Sequence, residues 1–461
     1  MGKASPCQTE NVESGRAPQG SDGNMAGGHA KPEPLMTDPI ASPAPNAAPL
    51  VAHGADPLTG RFVVPGDPTI SQRALLLGAL AVGRSSIEGL SQSADVMATA
   101  GVLRQLGVRI AAHDGAWQVH GLGVGGLLEP EQALACGSSV STAQLALGLL
   151  APYDFAVRVA GNETLARQPI RPLLAALGVT GARGVDADDG RIPLTWRGNG
   201  MAAPIRASLA TRSEATKSAL LLAGLQIAGI TSIHEPLATQ DHTEKLLAQF
   251  GADITVTADE SGGASIRLVG LPELRPRHLL VPGDPSAAGF AVVAALIVPG
   301  SDLVIENVLV NPARSGLIDT LLEMGGDIQF LNQREIGGEH VADLRARSSR
   351  MKGVQVDGQH AATMLDDIPI LAIAAAFAQG ETRIDGLGAL RDQDSDRLAA
   401  SAAGLAANKV SVVEGSDSLT ITGHGRVDGG GTVATRGDHA IAMSFLVLGL
   451  ASRHRVTVDD G

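Results

Sequence analysis

The sequence predicts an α/β protein of two domains, each an inside-out barrel with its helices packed within and its sheets turned outward. Three observations carry this expectation. A two-helix unit recurs along the chain, one helix of each unit is apolar nearly all round, and a β-rich stretch separates each helix from the next. A helix without a polar face has to be buried, so the sheets are left to cover it. Three units to a domain give six βαβαββ-type repeats, and an ordinary doubly wound α/β sheet is the competing architecture.

The buried helices are expected over 71–82, 141–151, 216–228, 286–298, 368–379 and 439–451, each rich in Ala and Leu, and most close near a Gly or Pro. Amphipathic companions are expected over 95–106, 171–177, 243–250, 315–324 and 395–407. Each of these is followed by Gly or Asn, which suit the left-handed residue that ends a helix. That makes six helices of the first kind and five of the second. After 439–451 the chain offers a strand at 455–458 and then Asp459-Asp460-Gly461, so the sixth repeat reads as incomplete. An exposed apolar face on the 439–451 helix is the expected consequence.

Composition narrows the function classes. In 461 residues, 44% are hydrophobic, 18% are charged, and the formal net charge is −13. Such a chain can bury two cores, and its acidity argues against a nucleic-acid or anionic-membrane partner, because binding a polyanion requires clustered cations. No apolar run approaches the roughly 18 residues of a membrane span. Cys7 and Cys136 form no disulfide framework and sit in no metal-ligand spacing, so no metal is expected and the compartment reads as a reducing cytoplasm. Residues 1–57 are rich in Pro, Gly, Ala and Asn and are expected to be a disordered tail.

The motifs are more specific. Val64-Pro65-Gly66-Asp67-Pro68-Thr69-Ile70-Ser71-Gln72-Arg73 and Val281-Pro282-Gly283-Asp284-Pro285-Ser286 mark two equivalent places in the chain. Asp241-His242-Thr243-Glu244, Asn311-Pro312 with Arg314, Val341-Ala342-Asp343-Leu344-Arg345, Met364-Leu365-Asp366-Asp367 and Asp438-His439 follow in order. Together these strings resemble the EPSP synthase family (3-phosphoshikimate 1-carboxyvinyltransferases) over 58–460, and the bacterial class that includes glyphosate-tolerant members is the most similar. A related transferase acting on UDP-N-acetylglucosamine fits the strings less well.

The resemblance implies the enolpyruvyl transferase fold, with one domain from 58–66 and 282–461 and the other from 67–281. It implies transfer of the enolpyruvyl group of phosphoenolpyruvate to the 5-hydroxyl of shikimate 3-phosphate through a tetrahedral intermediate, with release of phosphate and no cofactor. The partners are therefore small-molecule anions, and the protein is expected to be a monomer. By position, Ser71, Arg73, Ser213 and Arg397 are implied to bind substrate, and Asp366 and Asp394 to move protons. His242 and His439 read as structural.

The sequence departs from the pattern at its implied ligand contacts. Pro68 stands for a lysine, Gln144, Gln168, Gln240 and Ala440 stand for arginines, and Val140 takes the place of a smaller residue. Ala215 replaces a glutamine, and Gln393-Asp394 replaces a Lys-Glu pair. Each lost charge-assisted hydrogen bond is worth about 1.5–3 kcal/mol, so weak or absent turnover is expected. An active enzyme with compensating residues and a non-enzymatic binding or regulatory protein are the alternatives.

Overall fold

The computed structural model describes residues 48–186, 190–391 and 395–460. The recurring unit is present throughout. The apolar helices are Pro68–Leu80, Val140–Leu150, Glu214–Leu225, Pro285–Ile297, Ile368–Phe377 and His439–Ala451. In Ile368–Phe377 every side chain is buried, as its lack of a polar face requires. The companions are Ala94–Gln105, Arg171–Leu177, His242–Phe250, Gly316–Glu323 and Arg397–Ala407.

The sheets share one plan. In the four-stranded ones a short strand lies parallel to a longer strand, which then carries an antiparallel pair. His278–Leu280 thus runs parallel to Val82–Glu88, which pairs antiparallel with Ala116–Leu122, and that strand with Arg109–His113. Among the described residues five sheets are built this way, and a sixth has three strands.

The sixth sheet corrects two expectations. Thr432–Val433 runs parallel to Val456–Val458, and the antiparallel neighbour on the other edge is Leu50–Ala52. Residues read from composition as tail therefore complete the last sheet, with Ala52 opposite Val456. The remainder of that tail, 1–47, lies outside the described residues. His439–Ala451 presents no broad apolar face to solvent either: Ile441, Phe445, Val447 and Leu448 are buried, and only Met443 is well exposed among its large apolar residues. It packs on Ile368–Phe377 and Pro285–Ile297.

Buried apolar side chains fall into two clusters. One gathers mainly residues between Ile70 and Val281, the other residues between Ala288 and Val458. The chain passes between them twice, because Thr59–Val63 joins the sheet of Asp302–Leu309 while His278–Leu280 joins that of Val82–Glu88. The two crossings are bonded side by side, Asp67 N donating to the Pro282 carbonyl at 2.8 Å and Asp284 N to the Pro65 carbonyl at 2.9 Å. A Cβ on Gly66 would stand 1.9 Å from the carbonyl oxygen of Gly89, just after Val82–Glu88, so the first crossing has no room there for a side chain.

Both crossings open a helix by the same device. Asp67 accepts from Ile70 N at 2.8 Å and Asp284 from Ser286 N at 3.0 Å, capping helices whose first residues are Pro68 and Pro285. Proline suits that position because its missing N–H would have no helical partner there.

Candidate active site

A cleft of about 780 Å³ lies between residues contributed to the two halves. One wall comes from the start of Ala94–Gln105 (Ser93, Asp95), the loop before Val140–Leu150 (Ser138), and the segment bearing Thr164 and Gln168. The opposite wall is Ser395, Arg397 and the turn Arg436-Gly437-Asp438-His439. An adjoining cavity of about 620 Å³ shares Ser93 and His439 and reaches Pro68 and Asp284.

Asp438 organises the second wall. One carboxylate oxygen accepts from Ala440 N and Ile441 N at 2.9 and 3.3 Å and caps the helix His439–Ala451. The other accepts from Ser395 Oγ at 2.6 Å and Arg397 Nε at 2.7 Å. Burial would raise the Asp438 carboxyl, but these donors outweigh it and hold the group below the ordinary carboxylate range. Arg397 also donates to Asp366 at 3.0 Å, whose side chain is 78% exposed. Arg397 is thus oriented by one buried and one exposed carboxylate.

Among the residues implied by the motifs, Arg397 and Gln168 line the cleft and Pro68 lines the adjoining cavity. Asp366 meets the cleft through Arg397. Val140 and Gln144 are half-buried on the helix that follows Ser138, and Ala440 is buried directly behind His439. Gln393 and Asp394 lie outside the described residues.

Ser71 and Arg73, read as substrate contacts, are not brought to the cleft wall. Ser71 is fully buried and its Oγ accepts from Ser91 N at 3.0 Å. Arg73, 3% exposed, donates to Thr243 Oγ1 at 2.7 Å, the Thr69 carbonyl at 2.9 Å, Ser218 Oγ at 3.1 Å and the Glu214 carboxylate. The physical reason is that Pro68–Leu80 is buried on every side, so a guanidinium on it must find interior acceptors. Ser213 caps Glu214–Leu225, accepting from Thr216 N at 3.2 Å, and neither it, Ala215 nor Gln240 is among the lining residues.

Sequence reasoning missed Arg436 and the anchoring role of Asp438. Arg436 stands two residues before Asp438, so its adjacency to the Asp438-His439 string was an available signal.

A second polar cluster lies near the crossings. Asp241, His242 and Glu339 bring ligand-type atoms within 4.8 Å of one another. The Lys245 ammonium stands 3.0 Å from both Asp241 and Glu339, and His242 Nδ1 is 2.6 Å from Glu339. The cationic position in this group is already filled by lysine, which links His242–Phe250 to Glu339 of the other half. Cys136 is buried, and burial pushes its thiol up to about 12, which removes thiolate chemistry.

Fold and cleft together define an inside-out α/β protein with a polar cleft between its two halves. The model of the family "EPSP synthase (3-phosphoshikimate 1-carboxyvinyltransferase)" matches residues 52–461. The chain is 51% identical over 424 residues to the 3-phosphoshikimate 1-carboxyvinyltransferase of Parvibaculum lavamentivorans, covering 91% of this chain and 94% of that protein. It is 50% identical over 416 residues to the enzyme of the same name from Paramagnetospirillum magneticum, covering 90% and 93%. An EPSP synthase structure from Acinetobacter baumannii superimposes with a TM-score of 0.80 at 34% identity, covering 88% of this chain and 93% of that one. The chain belongs to the EPSP synthase family.

Proposed function

We propose that this chain is a 3-phosphoshikimate 1-carboxyvinyltransferase whose turnover is far below that of its relatives. It joins the enolpyruvyl group of phosphoenolpyruvate to a hydroxyl of shikimate 3-phosphate and releases phosphate. The observation that carries the reaction class is identity of about half the residues along nine-tenths of the length of enzymes bearing that name. The reaction must take a proton from the attacking hydroxyl and deliver one to the methylene carbon of phosphoenolpyruvate. Asp366, bonded to Arg397, is the candidate acceptor, with Asp394 the second carboxylate implied by position. The halves 58–66 with 282–461 and 67–281 act in this reading as two domains that close over the substrates.

The reduced turnover rests on Pro68 and Gln168, uncharged side chains lining the cavities where the motifs imply cations. Two charge-assisted contacts at about 1.5–3 kcal/mol each correspond to roughly two to four orders of magnitude in rate. Phosphate release from the two substrates is therefore expected at kcat/KM on the order of a thousandfold below a relative assayed alongside. The double variant Pro68→Lys/Gln168→Arg is expected to recover at least tenfold. A parent rate equal to the relative's removes the claim of impairment. Neither phosphate release nor calorimetric heat with millimolar shikimate 3-phosphate, in parent and double variant alike, would sink the transferase reading and leave a non-catalytic binding protein.

A further inference from the structure

Arg436 belongs to none of the strings that identify the family, yet its setting is unusual. Its backbone is left-handed, with φ of 54°, a conformation that residues other than glycine rarely adopt. The turn is held at both ends. Thr435 donates through N and Oγ1 to Asp459 at 2.8 and 3.0 Å, and its carbonyl accepts from Asp438 N at 3.0 Å. Asp438 is itself fixed by Ser395 and Arg397. A non-glycine residue persists in such a conformation when its surroundings over-determine it, and such positions concentrate at ligand sites.

The charge balance of the cleft supplies an independent argument. Among the described residues, the Lys and Arg side chains on its walls are Arg397 and Arg436. Arg397 already faces Asp438 and Asp366. Arg436 makes a long contact of 3.4 Å to the Ser395 carbonyl and has no carboxylate partner among the described residues. Asp95 on the opposite wall adds a further negative charge. Without Arg436, an entering anion would meet one arginine outnumbered by carboxylates.

We infer that Arg436 is the anion-capturing residue of the cleft: its guanidinium takes the phosphate or carboxylate group of the incoming ligand, while the charge of Arg397 is largely balanced by its own carboxylates. The identity of the anion rests on the transferase reading; the capture does not. A guanidinium presents paired donors matched to two oxygens of either group.

The test is calorimetric titration of the full chain at low salt with shikimate 3-phosphate, phosphoenolpyruvate and inorganic phosphate, for the parent, Arg436→Gly and Arg436→Lys. Glycine accepts the left-handed backbone without strain, so Arg436→Gly is expected to unfold within a few degrees of the parent, which separates a ligand role from a structural one. The glycine variant is expected to lose about ten- to a hundredfold in affinity, and the lysine variant to retain part of it. Equal binding by parent and Arg436→Gly, or no binding of any of the three anions by the parent, overturns the inference. Phosphate binding that disappears in Arg436→Gly without any shikimate 3-phosphate binding would uphold the inference and defeat the transferase reading. Shikimate 3-phosphate binding unchanged by the substitution would do the reverse.

Discussion

Arg314 and the carboxylates around it show how single side chains set the behaviour of the crossings. Its guanidinium lies 3.2 Å from Asp67 and 3.3 Å from Asp284, both of which cap helices. Burial pushes the Asp284 carboxyl up to about 6, the neighbouring Asp67 adds to the rise, and Arg314 opposes it. A carboxyl whose folded pKa is raised takes up a proton on folding. Its contribution is therefore complete below the ordinary carboxylate value and is lost as pH rises through about 6. Asp284→Asn keeps a capping side chain but cannot ionise. Between about pH 4 and pH 7 the parent should lose stability relative to this variant, by at most about 3 kcal/mol, in denaturant unfolding at several pH values. Parallel stability curves would contradict the assignment. At this scale the sequence was informative about residue types and poor about partners. Arg73 could be placed on a buried helix, but that it would meet Glu214, separated by 141 residues, depends on how two helices pack.

At the scale of elements, the inner helices approach closely because small residues face one another. A Cβ on Gly148 would lie 2.4 Å from the Ala219 carbonyl oxygen and 2.5 Å from its Cα, backbone atoms that cannot swing aside. Gly148→Val is expected to destabilise by about 3 kcal/mol or more, because Val140–Leu150 and Glu214–Leu225 would have to separate. Gly101, on Ala94–Gln105, has nothing within 4 Å of an added Cβ. Gly101→Ala should stabilise by about 0.5–1 kcal/mol, and thermal unfolding of the two variants side by side tests the contrast. These helices were legible in the sequence because all-round apolarity leaves burial as the only physical option. Their starts were less legible: the helices expected from 71 and 286 begin at Pro68 and Pro285, capped by Asp67 and Asp284.

The whole molecule closes on itself through the strand Leu50–Ala52. Ala52 is 8% exposed and pairs with Val456, and a Cβ on Gly449 would stand 2.5 Å from the Ala52 Cβ. Removing the chain through His53 uncovers one side of the helix His439–Ala451 and one edge of Val456–Val458. The expected loss is about 2–3 kcal/mol, read as a fall of several degrees in Tm with the rest of the fold retained. An unchanged Tm would show that the strand adds nothing. Composition could not reveal this strand: three residues, the first two half-exposed, give too short an alternation to stand out from a Pro- and Ala-rich approach.

Taken by itself, the sequence determined the inside-out architecture, the count of buried helices, the two crossings and the family. The architecture and the helix count follow from local composition and spacing, the crossings and the family from motif strings that resemble a known family, and none of these requires knowing which distant residues meet. Only the tertiary structure decided that the sixth sheet takes its third strand from Leu50–Ala52, that Arg73 serves the interior, and that Arg397 is held by Asp438 and Asp366 while Arg436 has no carboxylate partner among the described residues. Those outcomes depend on contacts between segments far apart in the chain, and the sign of the field inside a cleft is set by such pairings rather than by the residues present.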